Sequence, residues 1–165
     1  IPVIEIVLLV GFLVHIYKTV RMFIKNQEAR PVAYVQKRRA GPPSRKTLAS
    51  TTMIITGLWL IAFLVIHVKT FRFSAHPETP AGIVDLYRVE TEALHSPLAF
   101  VFYAISMVII GSHLWHGFAS GFQSLGFDHP RWTRRVVTFG KVFAVIIAGG
   151  FIVIAFWAHS VGAHQ

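Results

Sequence analysis

Four histidines stand inside apolar runs where leucine would serve: His15, His67, His113 and His116. Ionisable side chains at membrane depth are costly and are functional by default. A neutral imidazole offers a nitrogen lone pair to a metal and an N–H to a hydrogen-bond acceptor. The segment GSHLWHGFASGF, residues 111–122, sets His113 and His116 one turn apart, with Gly117 and Gly121 following. Zinc normally takes three or four ligands, often with carboxylate or thiolate nearby; no such set is obvious here. Haem iron needs only axial ligands, and two imidazoles leave no open position, which suits electron transfer rather than oxygen chemistry. The chain has no cysteine, which removes disulfides, thiolate metal sites and cysteine-held iron–sulfur clusters.

The elements that must position these side chains follow from composition. Of 165 residues 54% are apolar, and the mean hydropathy is +0.58. A transmembrane helix needs about 20 mostly apolar residues, and four runs qualify: 1–24, 52–71, 97–122 and 136–160. The reading is an all-α transmembrane helix bundle, a single domain over 1–165. The first residues, Ile1-Pro2-Val3, are already apolar with no basic flank, unlike a signal peptide. The expectation is therefore a further helix upstream and five spans in total. The formal net charge of +9 does not point to nucleic acid, because the basic residues flank spans. Segments 25–46 and 128–135 are basic, whereas 74–95 carries Glu78, Asp85, Glu90 and Glu92 against Arg88. The positive-inside rule puts the two basic loops in the cytoplasm, with the middle loop and the C-terminus outside.

Helical rise then gives depth. His15 precedes Lys25 by ten residues, and His113 stands about a dozen residues before the end of its run. Both lie about 15–18 Å from the cytoplasmic end of their spans, so they can pair across the bundle. His67 is close to Lys69 and Arg72, toward the outer face, and has no evident partner at its level. His95 is a weak candidate for that partner, and a histidine upstream is a better one. Ser106, Gly117, Ser120 and Gly121 lie on or near the face of His113. Gly11 and Thr19 flank His15, and Thr56 and Phe63 share the face of His67. Small residues admit a neighbouring helix or a planar ring, although Gly117 and Gly121 fit ordinary helix packing equally well. His116 is equally well read as a side chain that hydrogen-bonds across helices. His76, His95, His129, His159 and His164 fall in loops or near span ends, where solvated or interfacial roles are expected.

Three stretches resemble the five-helix, di-haem cytochrome b subunit that anchors succinate:quinone oxidoreductases and fumarate reductases. GFLVHIYKTVRMFIKN resembles the second-helix segment with its ligand, here His15. TGLWLIAFLVIHVKTF resembles the third, in which Thr56 and Gly57 precede the ligand His67. SPLAFVFYAISMVIIGSHLWHGFASGFQSLG resembles the fourth, with the ligand at His113. The last span resembles the fifth helix, which supplies no ligand. The resemblance implies two b haems. One lies between His15 and His113 nearer the cytoplasm, and the other at His67, whose partner would be on a first helix. It also implies an iron–sulfur subunit and an FAD flavoprotein as partners, a membrane quinone as electron donor or acceptor, and a place in the bacterial cytoplasmic membrane.

Lys18, Arg21 and Lys25 follow His15, and Lys69 and Arg72 follow His67. Either set could pair with haem propionates, Arg21 being the best placed by depth; snorkelling at span ends is the simpler explanation. Glu5 is a candidate for proton transfer or quinone binding, or an interfacial acid. Two other readings stay open. One is the cytochrome b anchor of a different oxidoreductase, such as a hydrogenase or formate dehydrogenase. The other is a haem-free transporter or assembly protein whose histidines pack or relay protons; against it, no internal repeat of the kind transporters show is present.

Overall fold

A computed structural model of the chain describes residues 2–29, 48–73, 77–127 and 129–162. Contacts gather it into two units, Ile1–Arg45 and Lys46–Gln165. The first contains one long helix, α1 (Pro2–Glu28). Proline suits a first turn, where its missing N–H would have no partner in any case. Glu5 in the first turn and Lys25 in the last complement the helix dipole.

The second unit begins with a single turn, α2 (Leu48–Thr51), followed by α3 (Met53–Arg72). A short connection with an isolated β-bridge between Glu78 and Val84 leads to α4 (Leu86–His95). Then come α5 (Pro97–Ser124) and α6 (Pro130–Gly162). Helices α1, α3, α5 and α6 are long and apolar enough to cross a membrane, and no strand forms among the described residues. The all-α architecture and the four runs thus stand as expected.

Helix α5 is the centre of the second unit and packs against both α3 and α6. Against α6 it runs antiparallel: Gly111 lies at Ala148, Phe118 at Gly140, and Phe100 stacks on His159. A Cβ at Gly111 would fall 2.9 Å from Ala148 Cβ, and one at Gly140 would fall 2.9 Å from the Phe118 ring. These glycines let the two helices touch. The most buried residues include small ones: Ala144, Ala158 and Ser106 are almost fully buried. Large ones such as Phe139, Ile146, Phe151 and Phe156 face outward. Along the α5–α6 seam small residues thus let the helices associate by close packing, as lipid-facing helices do.

Two features stand apart from the sequence expectation. Helix α6 starts at Pro130 rather than 136, because His129 caps it. The His129 Nδ1 accepts from the Arg131 N–H, and the Thr133 hydroxyl donates back to the His129 carbonyl. Arg131, Arg134 and Arg135 are therefore helical. At 1.5 Å per residue α6 is about 50 Å long, more than the ~30 Å hydrocarbon layer, so its basic turn extends beyond an apolar slab. The five-residue connection before it closes α5 through Gly126, at φ 86°, with the Phe127 N–H donating to the Phe122 carbonyl. That is a glycine-terminated helix end.

The second difference is α4, which the acidic middle loop did not announce. Asp85 accepts from the Arg88 N–H as its N-cap, and Arg88 pairs with Glu92 one turn on. The Glu92 hydrogen bond and charge hold the Arg88 guanidinium above its usual pKa, although such an exposed pair adds little stability. Val89, Thr91 and Leu94 are buried against the ends of α3, α5 and α6. Leu94 joins Phe63, Tyr103, Met107, Ala155 and Ala158 in the core. The core therefore sits at the α4 end of the unit.

Candidate functional site

Helices α3 and α5 hold two of the singled-out histidines at two different levels. Near the start of α3, Thr56 Oγ1 lies 3.0 Å from His113 Nδ1 on α5. Near its end, the His67 ring lies 6.0 Å from the Tyr103 ring of α5. Thr56 and His67 are eleven residues apart on one helix, so the two levels are about 16 Å apart along the axis. Tyr103 and His113 are ten residues apart on α5, which gives about 15 Å independently. The antiparallel register thus separates His67 and His113 in depth, as helical rise alone predicts.

At the His113 level the contacts are polar and small. The Thr56 hydroxyl lies 3.1 Å from the backbone carbonyls of both Thr52 and Met53. Its single proton goes to that pair, as is common for threonine inside a helix. Toward His113 the oxygen is then an acceptor, and Nδ1–H donates to it. A neutral ring with the proton on Nδ1 carries its lone pair on Nε2. This is the arrangement in which a hydrogen bond at one nitrogen sets the other as a metal ligand. Gly57 lies loosely against the ring: a Cβ there would be 3.7 Å from His113 Cε1, an ordinary van der Waals contact. Gly117 is similarly loose, with Met53 at 3.7 Å and His113 at 4.0 Å, and nothing lies within 4 Å of a Cβ at Gly121. The tight glycine contacts are at Gly111 and Gly140 instead, where they serve helix packing.

At the His67 level the contacts are aromatic. Phe63 stacks on the imidazole at 5.4 Å and 22°, and Phe71 approaches at 5.0 Å and 51°. With Tyr103 these rings fix the imidazole on three sides. His67 Nδ1 is buried without a hydrogen-bond partner among the described residues. The ring is thus held in place with one buried nitrogen left over. Between the two levels, Trp59 Nε1–H donates to Ser106 Oγ at 3.0 Å, and Ser106 in turn donates to the Phe102 carbonyl. Ser106 shares the face of His113 as the spacing says, but its partner is the indole.

The other candidates are placed plainly. His15 and Arg21 lie on α1, with Arg21 about 9 Å further along the axis. Glu5 occupies the first turn of α1, a position that the helix dipole favours for any acid. His116 Nε2 is 3.0 Å from Ser120 Oγ, one turn along the same helix, so one of its ring nitrogens is bonded within α5. His159 Nδ1 donates to the Leu94 carbonyl at 2.9 Å and ties α6 to α4. His76 and His164 fall outside the described residues. Among the described residues no three His, Asp or Glu side chains come together. Tyr103 and Thr56 are the site residues that spacing alone did not assign to their partners. No protein-family model, curated protein or solved structure matches the chain.

Proposed function

We propose that this chain is a di-haem cytochrome b membrane anchor of the succinate:quinone oxidoreductase and fumarate reductase type. It would pass electrons between an iron–sulfur subunit and a membrane quinone. The observation that carries the reading is the pair of imidazoles on α3 and α5, about 16 Å apart along the helices, each with its ring held by neighbours. When bound, b haem supplies one-electron carriage at each level. His113 would ligate through Nε2, with Thr56 fixing its tautomer. The sequence resemblance adds His15 as a ligand of that haem and Arg21 as a candidate propionate partner. His67 would ligate the second haem. The aromatic wall of Phe63, Phe71 and Tyr103 would hold the ring upright.

Dicarboxylate chemistry at FAD and the iron–sulfur chain would belong to partner subunits. The basic segments, including Arg131, Arg134 and Arg135 in the first turns of α6, would face the cytoplasm of a bacterial cell and offer those subunits a docking surface. Glu5 would serve as a proton or quinone group. The test is a reduced-minus-oxidised spectrum of the detergent-extracted protein with its bound subunits, with haem counted per chain. The reading expects b-type bands and co-purifying flavin and iron–sulfur subunits. A haem-free protein would reject it in favour of packing or proton-relay histidines. Bands with a hydrogenase or formate dehydrogenase partner would keep the haems and reassign the complex.

A further inference from the structure

Two buried side-chain polar atoms lack a hydrogen-bond partner among the described residues: His67 Nδ1 and the Tyr103 hydroxyl. They belong to one cluster, the rings of His67 and Tyr103 being 6.0 Å apart. A third polar group joins them. Thr70, one turn beyond His67 on α3, brings its hydroxyl toward that of Tyr103 without a well-formed bond. Buried polar groups are nearly always satisfied, and in an apolar slab bulk water cannot relieve them. A buried water typically makes about three hydrogen bonds to such groups. The three groups here are complementary to one: an imidazole N–H donates, and two hydroxyls donate or accept.

We propose that His67 Nδ1, the Tyr103 hydroxyl and the Thr70 hydroxyl hold one structural water. That water fixes the His67 ring with its proton on Nδ1 and its lone pair on Nε2. Tyr103 and Thr70 are thus positioning residues, doing through a water what Thr56 does for His113 directly. The inference extends the reading of His67 as a haem ligand. A hydrogen bond accepted from the far nitrogen makes an imidazole a stronger donor to its metal, which favours oxidised iron and lowers the midpoint potential.

The experiment is a redox titration of the detergent-extracted protein with its subunits, in the wild type and in Tyr103→Phe, Thr70→Val and the double variant. Both substitutions keep the side-chain shape, so the ring packing survives, and an unchanged haem-to-protein ratio verifies this. Each single variant should raise one midpoint by up to tenfold in the reduction equilibrium, about 59 mV, leaving the other haem unmoved. The double variant should shift no further than the larger single, because one water serves both groups. Unchanged midpoints, or shifts that add, would overturn the proposal. A wild type without haem would reject the haem reading separately. The ¹⁵N spectrum of histidine-labelled protein then decides the water by itself. A His67 Nδ1–H signal that moves in Tyr103→Phe supports it, and one that stays overturns it.

Discussion

The surroundings of His113 and His67 differ although the same two helices build both. His113 is set by a hydroxyl on the facing helix and flanked by glycine; His67 is set by three aromatic rings and keeps a buried nitrogen unbonded. The first solution fixes a tautomer by a direct bond, and the second fixes a ring plane by packing. Packing of large rings at the His67 level coincides with the core of the unit, where α4 closes over α3, α5 and α6. The His113 level lies away from that core, where small residues leave room. An imidazole can thus be held either by polarity in an open place or by bulk in a crowded one.

The largest effect that would break this comparison is loss of one ligand at a time. His113→Ala and His67→Ala should each remove a different b haem, one per protein, as read from haem content and from which potential disappears. If both variants lost the same haem, the two levels would not be independent.

Packing is next in size. Gly140→Ala pushes a methyl into the Phe118 ring, and Gly111→Ala pushes one into Ala148. Each should destabilise the α5–α6 pair by about 1–3 kcal/mol, the usual cost of overpacking, as measured by unfolding in mixed detergent. Gly121→Ala, with nothing within 4 Å, should be near neutral to unfolding. A cost at Gly121 as large as at Gly140 would show that something unseen here fills that space.

Thr56→Val sharpens the His113 side. Losing the acceptor at Nδ1 should raise the midpoint of the His113 haem by about threefold to tenfold in the reduction equilibrium, ~28–59 mV, with the His67 haem unmoved. Ser106→Ala is smaller still. It removes the Trp59 bond between the levels, worth about 0.6 kcal/mol for hydrogen bonds in membrane helices, and should leave both potentials alone. Ser120→Ala, at the bottom of the scale, frees His116 within its own helix and should change neither haem content nor potential.

How much of this was legible from residues alone depends on whether a feature is local. Four spans follow from apolar length, and helical spacing correctly puts Ser106 on the face of His113 and Thr56 on that of His67. What spacing does not contain is the register of α3 on α5. That register hands Thr56 to His113 and Ser106 to Trp59. A helix face is a property of one segment, but a partner is a property of two. Helix α4 was hidden for a different reason. Its acids read as a solvated loop, and the helix depends on the Asp85 cap and on burying Val89 and Leu94 against helices distant in sequence. His129 shows the same limit at the start of α6, where a capping histidine draws a basic stretch into the helix. The candidate ligands themselves were visible, because histidine inside an apolar run stands out by its cost.

The most direct measurement is a potentiometric titration of the visible spectrum of the intact protein, with haem counted per chain. Two ligand levels on α3 and α5 predict about two b haems per chain, reduced in two one-electron steps at separate potentials. A protein with no b-type absorption, or with one haem that persists in both His113→Ala and His67→Ala, would contradict them.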